Sequence, residues 1–257
     1  MRAFRYLAVA AAVLCSPVVP AATVTIDWQS GGSYGVFDPA SGMPVGTISG
    51  PAPIGQVTTR AGRFVGEIVS TSGIDAEAFY LAPDRFFAYC HDLTEVLSNS
   101  EYTVEFGASA AILDFLGAVN SVLFPANDSP YDWIDPADKY IAGAVQLGIW
   151  EALYDSGYGL ASGSLTFGKA VDSTMNATML GHFTSFINAM GSSDSLDARY
   201  VMRLTSTASS TSRTRGTQDV ITGRFVPPQL LLVPEPGTLA LLGVALTAMG
   251  FARRRRS

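Results

Sequence analysis

The sequence has few of the residues on which most protein chemistry depends. Its 257 residues include two cysteines and two histidines, and their spacing matches no familiar set of metal ligands. Basic residues are scarce between the two ends: six of the 16 Lys and Arg residues lie in the terminal segments, against one of the 22 acidic residues. The remaining body carries a net charge of about −11, which argues against nucleic acid or an anionic lipid surface as partner. We expect no metal and no cofactor.

The N-terminal residues have the pattern of a secretory signal. Two arginines precede an apolar run from Leu7 to Leu14, and small residues then allow cleavage after Ala21 or Ala22. We therefore expect residues 1–22 to be removed on export. Cys15 would leave with this segment.

The C-terminal residues combine three features in order. A Pro234-Glu235-Pro236 motif is followed by an apolar run from Leu239 to Ala252, which as a helix would reach roughly 21 Å against a hydrocarbon core of about 30 Å. Four basic residues come next, namely Arg253, Arg254, Arg255 and Arg256. A basic cluster at one end of an apolar run holds that end on the cytoplasmic side, so the pattern predicts a short transmembrane segment inserted after export.

This tail, residues 234–257 after a linker at 227–233, resembles the PEP-CTERM sorting tail of Gram-negative bacteria. The resemblance implies a membrane sortase-like processing enzyme of the exosortase class as a partner. It also implies transient membrane anchoring, followed by a place on the cell surface or in the extracellular matrix. The alternative is an ordinary C-terminal membrane anchor.

Between the two ends, the pattern changes from strand to helix and back. Runs of β-branched and aromatic residues broken by Gly, Ser and Pro predict strands from Val24 to about Cys90. Similar runs return at Tyr200–Thr205 and Gln218–Val226. We therefore expect residues 23–226 to form one α+β domain, an antiparallel β-sandwich or barrel-like fold with a helical subdomain inserted at about 108–190.

Three helices are predicted within this insertion: Ser109–Phe124, Pro136–Tyr154 and, with a weaker pattern, Lys169–Ala189. The second has a well-formed start signal, because Asp135 is a good N-cap and Pro136 is suited to the first helical position.

Cys90 would be the only cysteine of the mature chain. Exported proteins usually pair their cysteines or lack them, so a single thiol requires an explanation. Three ordinary explanations are a buried cysteine acting as a small apolar residue, an intermolecular disulfide, and chance.

Gln146 supplies a fourth explanation. At 100° per residue it falls between Leu153 and Trp150, at the edge of the apolar stripe of the second helix. A buried amide without partners costs on the order of 1–3 kcal/mol. It is therefore either a core glutamine bonded to backbone, or an amide that has reacted with a thiol, lost ammonia and formed a thioester.

The stretches FAYCHDL, with Cys90, and AVQLGIW, with Gln146, resemble the two motifs of bacterial thioester domains. The resemblance implies an internal Cys90–Gln146 thioester, with helical sequence inserted between the two residues. The family is best known from Gram-positive surface adhesins. Gly148 is a poor helix residue and suggests close approach of another segment of the chain.

A thioester would attach the protein covalently to an amine or hydroxyl on a partner, an unknown surface or matrix protein or a glycan. Because the reaction occurs once per molecule, we expect no turnover enzyme. The alternative is a passive exopolysaccharide-matrix protein with a free Cys90, and a more distant third is a cysteine hydrolase using Cys90 and His182.

Three neighbouring side chains are candidates for supporting roles. Trp150 could shield the bond or be a plain core aromatic. Tyr89 is the aromatic residue before the cysteine, and Asp92 could orient groups or end the strand. His91 should point to the opposite face of its strand from Cys90.

Overall fold

A computed structural model describes residues 21–28, 45–80, 86–93, 95, 97–124, 129–155, 157–168, 173–207 and 217–227. The chain divides into two compact units, Met1–Phe225 and Val226–Ser257, and nearly all described residues belong to the first. The predicted sorting tail, with Pro234, Glu235, Pro236 and the four terminal arginines, lies outside the described residues, as does nearly all of the predicted signal.

The described residues contain nine strands and three α-helices. The strands are β1 (Thr23–Asp27), β2 (Val45–Gly50), β3 (Gly55–Arg60), β4 (Phe64–Ser72), β5 (Phe86–Cys90), β6 (Ser100–Phe106), β7 (Thr166–Phe167), β8 (Val201–Ser206) and β9 (Val220–Gly223). The helices are α1 (Ala110–Leu123), α2 (Lys139–Tyr154) and α3 (Ser173–Ala189).

Six antiparallel strands close into a barrel in the order β1-β4-β5-β9-β8-β6. Alternate residues of β1 face inward, since Val24 and Ile26 are buried in a cluster that also contains Tyr102 of β6. Trp28 joins this cluster, and its indole Nε1 donates to the Tyr102 hydroxyl at 2.8 Å. The predicted α+β fold with an antiparallel barrel-like domain is therefore confirmed, and the six strands form a barrel.

The three helices lie in the chain between β6 and β8, and each contacts the other two. They share a second core with the outward-facing side chains of the barrel. Every residue of α2 from Ile141 to Glu151 is buried, so this helix is enclosed on all sides. A Cβ at Gly148 would lie 1.9 Å from the ring of Phe115, which explains the glycine by the close approach of α1.

A smaller sheet has the order β3-β2-β7. Its third strand, β7, comes from the segment between α2 and α3 and pairs with β2 through Ile48↔Phe167 and Ser49↔Thr166. The sequence analysis predicted neither β6 nor β7, which lie outside the ranges that it assigned to strands. For β6 a signal was present, because Tyr102 and Val104 alternate with exposed or half-buried neighbours.

The predicted start of the second helix was wrong by one turn. Asp138, not Asp135, caps α2, and its carboxylate accepts from the N–H groups of Tyr140 at 2.7 Å and Ile141 at 2.9 Å. Asp135 is instead paired with Arg63, whose guanidinium is buried and also donates to the Ile134 carbonyl at 2.9 Å. A buried cation needs a counter-ion. Asp135, which the local pattern assigns to the helix cap, is the counter-ion of Arg63.

Candidate functional site

Cys90 is the last residue of β5. It has a partner in the neighbouring strand β9 but lies beyond the end of the other neighbour, β4. On the β9 side, the pairing continues to Cys90↔Val220. On the other side, β4 begins at Phe64, which pairs with Ala88. In an antiparallel sheet the N–H and C=O of a residue point to the same neighbour. The His91 N–H donates to the Asp219 carbonyl on the β9 side at 2.8 Å. Successive residues of a strand point to opposite neighbours, so the N–H and C=O of Cys90 point to the β4 side, past the end of that strand.

Gln146 of α2 occupies this position. Its Oε1 accepts from the Cys90 N–H at 2.8 Å, and its Nε2 donates to the Cys90 carbonyl at 2.8 Å. The side chain has no exposed surface. The carboxamide thus takes the hydrogen-bonding place of a further β4 residue, and it lies against the residue that carries the thiol.

The thiol itself contacts a second glutamine. Cys90 Sγ donates to Gln218 Oε1 at 2.8 Å, and Gln218 Nε2 donates to the carbonyl of Asp92. Gln218 is 7% exposed and lies two residues before the start of β9. Sequence reasoning missed it, because it lies 128 residues from Cys90 and only the pairing of β5 with β9 brings the two together.

The Asp92 carboxylate binds backbone groups. It accepts from the N–H of Asp219 at 2.7 Å and from that of Glu95 at 3.1 Å. Burial raises the pKa of Asp92 to about 6, although these two hydrogen bonds act to lower it. Asp92 therefore joins the turn after β5 to the start of β9.

The electrostatic surroundings keep the thiol neutral. Burial raises the pKa of Cys90 well above its ordinary value, and the negative charge of Asp92 raises it further. His91 has different neighbours: burial lowers its pKa, as does Arg203, while Asp219 and Glu105 raise it. The pKa of the imidazole thus depends on charges of β6, β8 and the residue before β9, whereas the pKa of Cys90 depends on Asp92.

The two predicted aromatic neighbours are both core residues. The hydroxyl of Tyr89 donates to the Trp133 carbonyl at 3.0 Å, and the two rings stack at 6.0 Å, which joins β5 to the segment before α2. Trp150 lies one turn after Gln146 and is 1% exposed. Its indole Nε1 has no hydrogen-bond partner among the described residues.

A cavity of about 490 Å³ reaches Cys90 from the surface. It is lined by Thr58 and Thr59 of β3, Phe64 of β4, Leu93 and Glu95 of the following turn, and Gln218. Cys90 itself is 2% exposed. A small reagent therefore has a route toward the thiol, although bulk water does not cover it.

Other candidate groups lie apart from this arrangement. The His182 ring stacks on Phe186 within α3, with the ring centres 6.4 Å apart. In the part of the chain that the structure describes, no three His, Cys, Asp or Glu side chains are grouped as a metal ion would require. No helix there is both long and apolar enough to cross a membrane.

Among solved structures, the chain is similar to the N-terminal thioester domain of protein F2 like fibronectin-binding protein from Streptococcus pneumoniae. The two chains are 11% identical with a TM-score of 0.35, and the match covers 72% of this chain and 92% of that chain. A similarity this distant does not assign a function. Among curated proteins, none matches this sequence.

Residues 232–256 match the family model of the PEP-CTERM protein-sorting motif. The match covers only the C-terminal end of the chain and includes the Pro-Glu-Pro triplet and the arginine cluster. The motif is processed by an exosortase, a membrane enzyme. The chain is thus an exported protein that is anchored transiently by its C-terminal tail, sorted by an exosortase and released at the surface.

Proposed function

We propose that Cys90 and Gln146 form an internal thioester through which this exported protein attaches covalently to a partner. The observation that carries the proposal is the pair of 2.8 Å hydrogen bonds between the Gln146 carboxamide and the backbone of Cys90. Both residues are buried. The carboxamide is thereby bonded to the backbone of the residue that carries the thiol, with little access for water.

The bond forms by condensation. Cys90 Sγ bonds to the Gln146 acyl carbon, the C–N bond breaks, and the thiol proton leaves with the nitrogen as ammonia. Holding the two groups in one geometry replaces a slow encounter by an intramolecular step. The enclosure of α2 on all sides supports this role, because it leaves the glutamine little freedom to move away.

The thioester is a stored electrophile. An amine or hydroxyl of the partner bonds to the acyl carbon of Gln146, Cys90 leaves as the thiol, and the two proteins are joined by an amide or ester. A thiol is a much better leaving group than an amine, so the product amide does not revert. The cavity at Cys90 supports this step, since it gives a nucleophile a route to the bond. The partner would be a surface or matrix protein or a glycan.

A passive matrix protein with a free Cys90 is the second candidate. One observation favours it: Gln146 satisfies the Cys90 N–H and C=O where β4 has not begun, and this structural role requires no reaction. A cysteine hydrolase has less support, because catalysis needs a thiolate, whereas burial raises the pKa of Cys90.

The mass of the intact protein tests the proposal. The freshly purified protein should be lighter than its sequence by one ammonia and should resist thiol alkylation while folded. Methylamine should raise the mass by one methylamine and expose one thiol. Cys90→Ala and Gln146→Ala should each lack both signals.

A full sequence mass would contradict the proposal, provided that position 146 is still glutamine. Peptide mapping distinguishes this case from hydrolysis, because a hydrolysed thioester leaves glutamate at position 146. A protein with an intact Gln146 and one alkylatable thiol would support the passive matrix role.

A further inference from the structure

We infer that Gln218, and not Gln146, supplies the acyl group that reacts with the Cys90 thiol. The inference rests on the proposed covalent function and changes only the glutamine that carries it. Its basis is the hydrogen bond from Cys90 Sγ to Gln218 Oε1, which is 2.8 Å long and buried. Gln146, by contrast, forms its hydrogen bonds with the backbone of Cys90. The carboxamide at the thiol is therefore that of Gln218.

The sulfur lies close to the carbon at which the bond would form. A carbonyl oxygen is about 1.23 Å from its carbon, so the acyl carbon of Gln218 lies within roughly 4 Å of Cys90 Sγ. Reacting atoms about 3–3.5 Å apart have the geometry of a near-attack conformer. A small rotation of either side chain is sufficient to bring the two atoms to that distance.

The barrel keeps the two groups together. Val220, two residues after Gln218, pairs with Cys90 across β9 and β5. The N–H of Asp219 donates to the Asp92 carboxylate at 2.7 Å, and Gln218 Nε2 donates to the Asp92 carbonyl. With its nitrogen held there, the carboxamide turns its oxygen toward the sulfur. The thiol and the acyl group are thus attached to neighbouring strands, which makes their reaction intramolecular.

Loss of the amide nitrogen disturbs less of the structure at Gln218 than at Gln146. The Nε2 of Gln146 donates to the Cys90 carbonyl in a buried contact, so its departure would leave a buried carbonyl without a donor, which is costly. The Nε2 of Gln218 donates to the Asp92 carbonyl in a partly buried contact. Gln146 then retains both hydrogen bonds to Cys90 and holds the backbone of the reacting residue.

The surface cavity also favours Gln218. Cys90 and Gln218 both line this cavity of about 490 Å³. Gln146 is not among the described residues that line it, and its side chain has no exposed surface. A nucleophile that enters the cavity therefore meets the Gln218 carboxamide beside the sulfur.

The reaction needs only the two side chains and the partner. Cys90 Sγ bonds to the acyl carbon of Gln218, the C–N bond breaks, and the thiol proton leaves with the nitrogen as ammonia. An amine or hydroxyl of the partner later bonds to the same carbon. The S–C bond then breaks, and the sulfur takes up the proton that the nucleophile loses.

Methylamine marks the acyl carbon in the wild-type protein, because it remains on that carbon as an N-methyl amide when the sulfur leaves. Trypsin separates the two candidate glutamines, since Gln146 lies in the fragment 140–169 and Gln218 in the fragment 216–224. We expect the N-methyl group on Gln218, found by tandem mass spectrometry. An N-methyl group on Gln146 would overturn the inference and support the Cys90–Gln146 bond.

Two matched variants test the same assignment. Glutamate has no amide nitrogen to lose, yet a protonated carboxyl can accept and donate as a carboxamide does, and burial favours that protonated form. Gln218→Glu should have its full sequence mass and one alkylatable thiol. Gln146→Glu should still be lighter than its sequence by one ammonia. The reverse pattern would overturn the inference, and if either variant fails to fold, the methylamine label in the wild type decides.

The outcomes separate this inference from the proposed function. A freshly purified wild type with its full sequence mass and glutamine at both positions overturns both. A wild type that lacks one ammonia and carries the label on Gln146 overturns only the role of Gln218. In hydrolysed protein, glutamate in place of Gln218 supports the inference, whereas glutamate in place of Gln146 contradicts it.

Discussion

The helical side and the barrel side of Cys90 each present a glutamine to the same residue, in different ways. Gln146, from a helix enclosed on all sides, bonds both backbone groups of Cys90. Gln218, from the segment before the last barrel strand, bonds the thiol of Cys90 and not its backbone. The difference teaches that burial and contact with a cysteine do not define a glutamine's role. The atoms contacted define it: the Gln146 amide takes the hydrogen-bonding place of a strand residue, and the Gln218 amide accepts from the thiol.

The largest expected effect comes from removing each amide where no thioester can form. In a Cys90→Ala background, Gln146→Leu leaves a buried N–H and a buried C=O without partners, so the free energy of unfolding should fall by about 2–5 kcal/mol. Gln218→Leu in the same background loses the bond to the Asp92 carbonyl and should cost about 1 kcal/mol. Urea unfolding measures both, and equal losses would contradict the comparison.

The second prediction concerns a carboxyl on the helical side. Glu151 is buried, its carboxylate has no hydrogen-bond partner among the described residues, and burial, with a further contribution from Asp155, raises its pKa to about 7. The folded state therefore holds a proton that the unfolded chain releases near its ordinary pKa of about 4.3. The contribution of the Glu151 carboxyl to the free energy of unfolding is therefore complete below about pH 4.3 and is lost as the pH rises through about 7.

The loss should reach up to about 3 kcal/mol in the free energy of unfolding between about pH 4.5 and pH 8. Asp92 on the barrel side acts in the same direction, but its loss falls between its ordinary pKa of about 3.9 and its raised pKa of about 6. Glu151→Gln should remove the loss that this carboxyl contributes between about pH 4.5 and about pH 7, and it should leave the contribution of Asp92. If the free energy of unfolding of this variant depends on pH as it does in wild type, Glu151 is not the source of that dependence.

The smallest expected effect comes from moving the helix without touching either glutamine. Gly148→Ala places a methyl group 1.9 Å from the Phe115 ring, so α1 and α2 must separate, at a cost of about 1–3 kcal/mol. Because Gln146 lies two residues earlier, the fraction of molecules lacking one ammonia should also fall. The contact of Gln218 with the thiol should be retained, since it belongs to the barrel.

Gly181→Ala is the matched control, because nothing lies within 4 Å of a Cβ at that helical position. It should stabilise α3 by up to about 1 kcal/mol and leave the mass unchanged. Similar losses in the two variants would indicate that helix propensity, not the contact with Phe115, controls stability. Thermal unfolding and intact mass together separate these cases.

The helical side of this comparison could be predicted from sequence, and the barrel side could not. Helical periodicity places Gln146 against the apolar stripe, and a β-rich run ends at Cys90, so both residues follow from local patterns. Gln218 has no local pattern: a glutamine at a strand-like edge becomes significant only when β9 pairs with β5. The predicted start of α2 was wrong for a related reason. Asp135 pairs with the buried Arg63, the residue just before β4, and the local pattern around Asp135 gives no sign of that partner.

The order of the strands along the chain sets when the surroundings of the thiol are completed. β5 meets one of its two barrel neighbours, β4, early, but β9 is the last strand of the described residues. During export from the N-terminus, Cys90 crosses the membrane long before Gln218 and Val220. The thiol therefore gains its hydrogen-bond acceptor, and the barrel its closure, only when nearly the whole body has emerged. Chain order alone delays assembly of the site until the protein has left the compartment in which it was made.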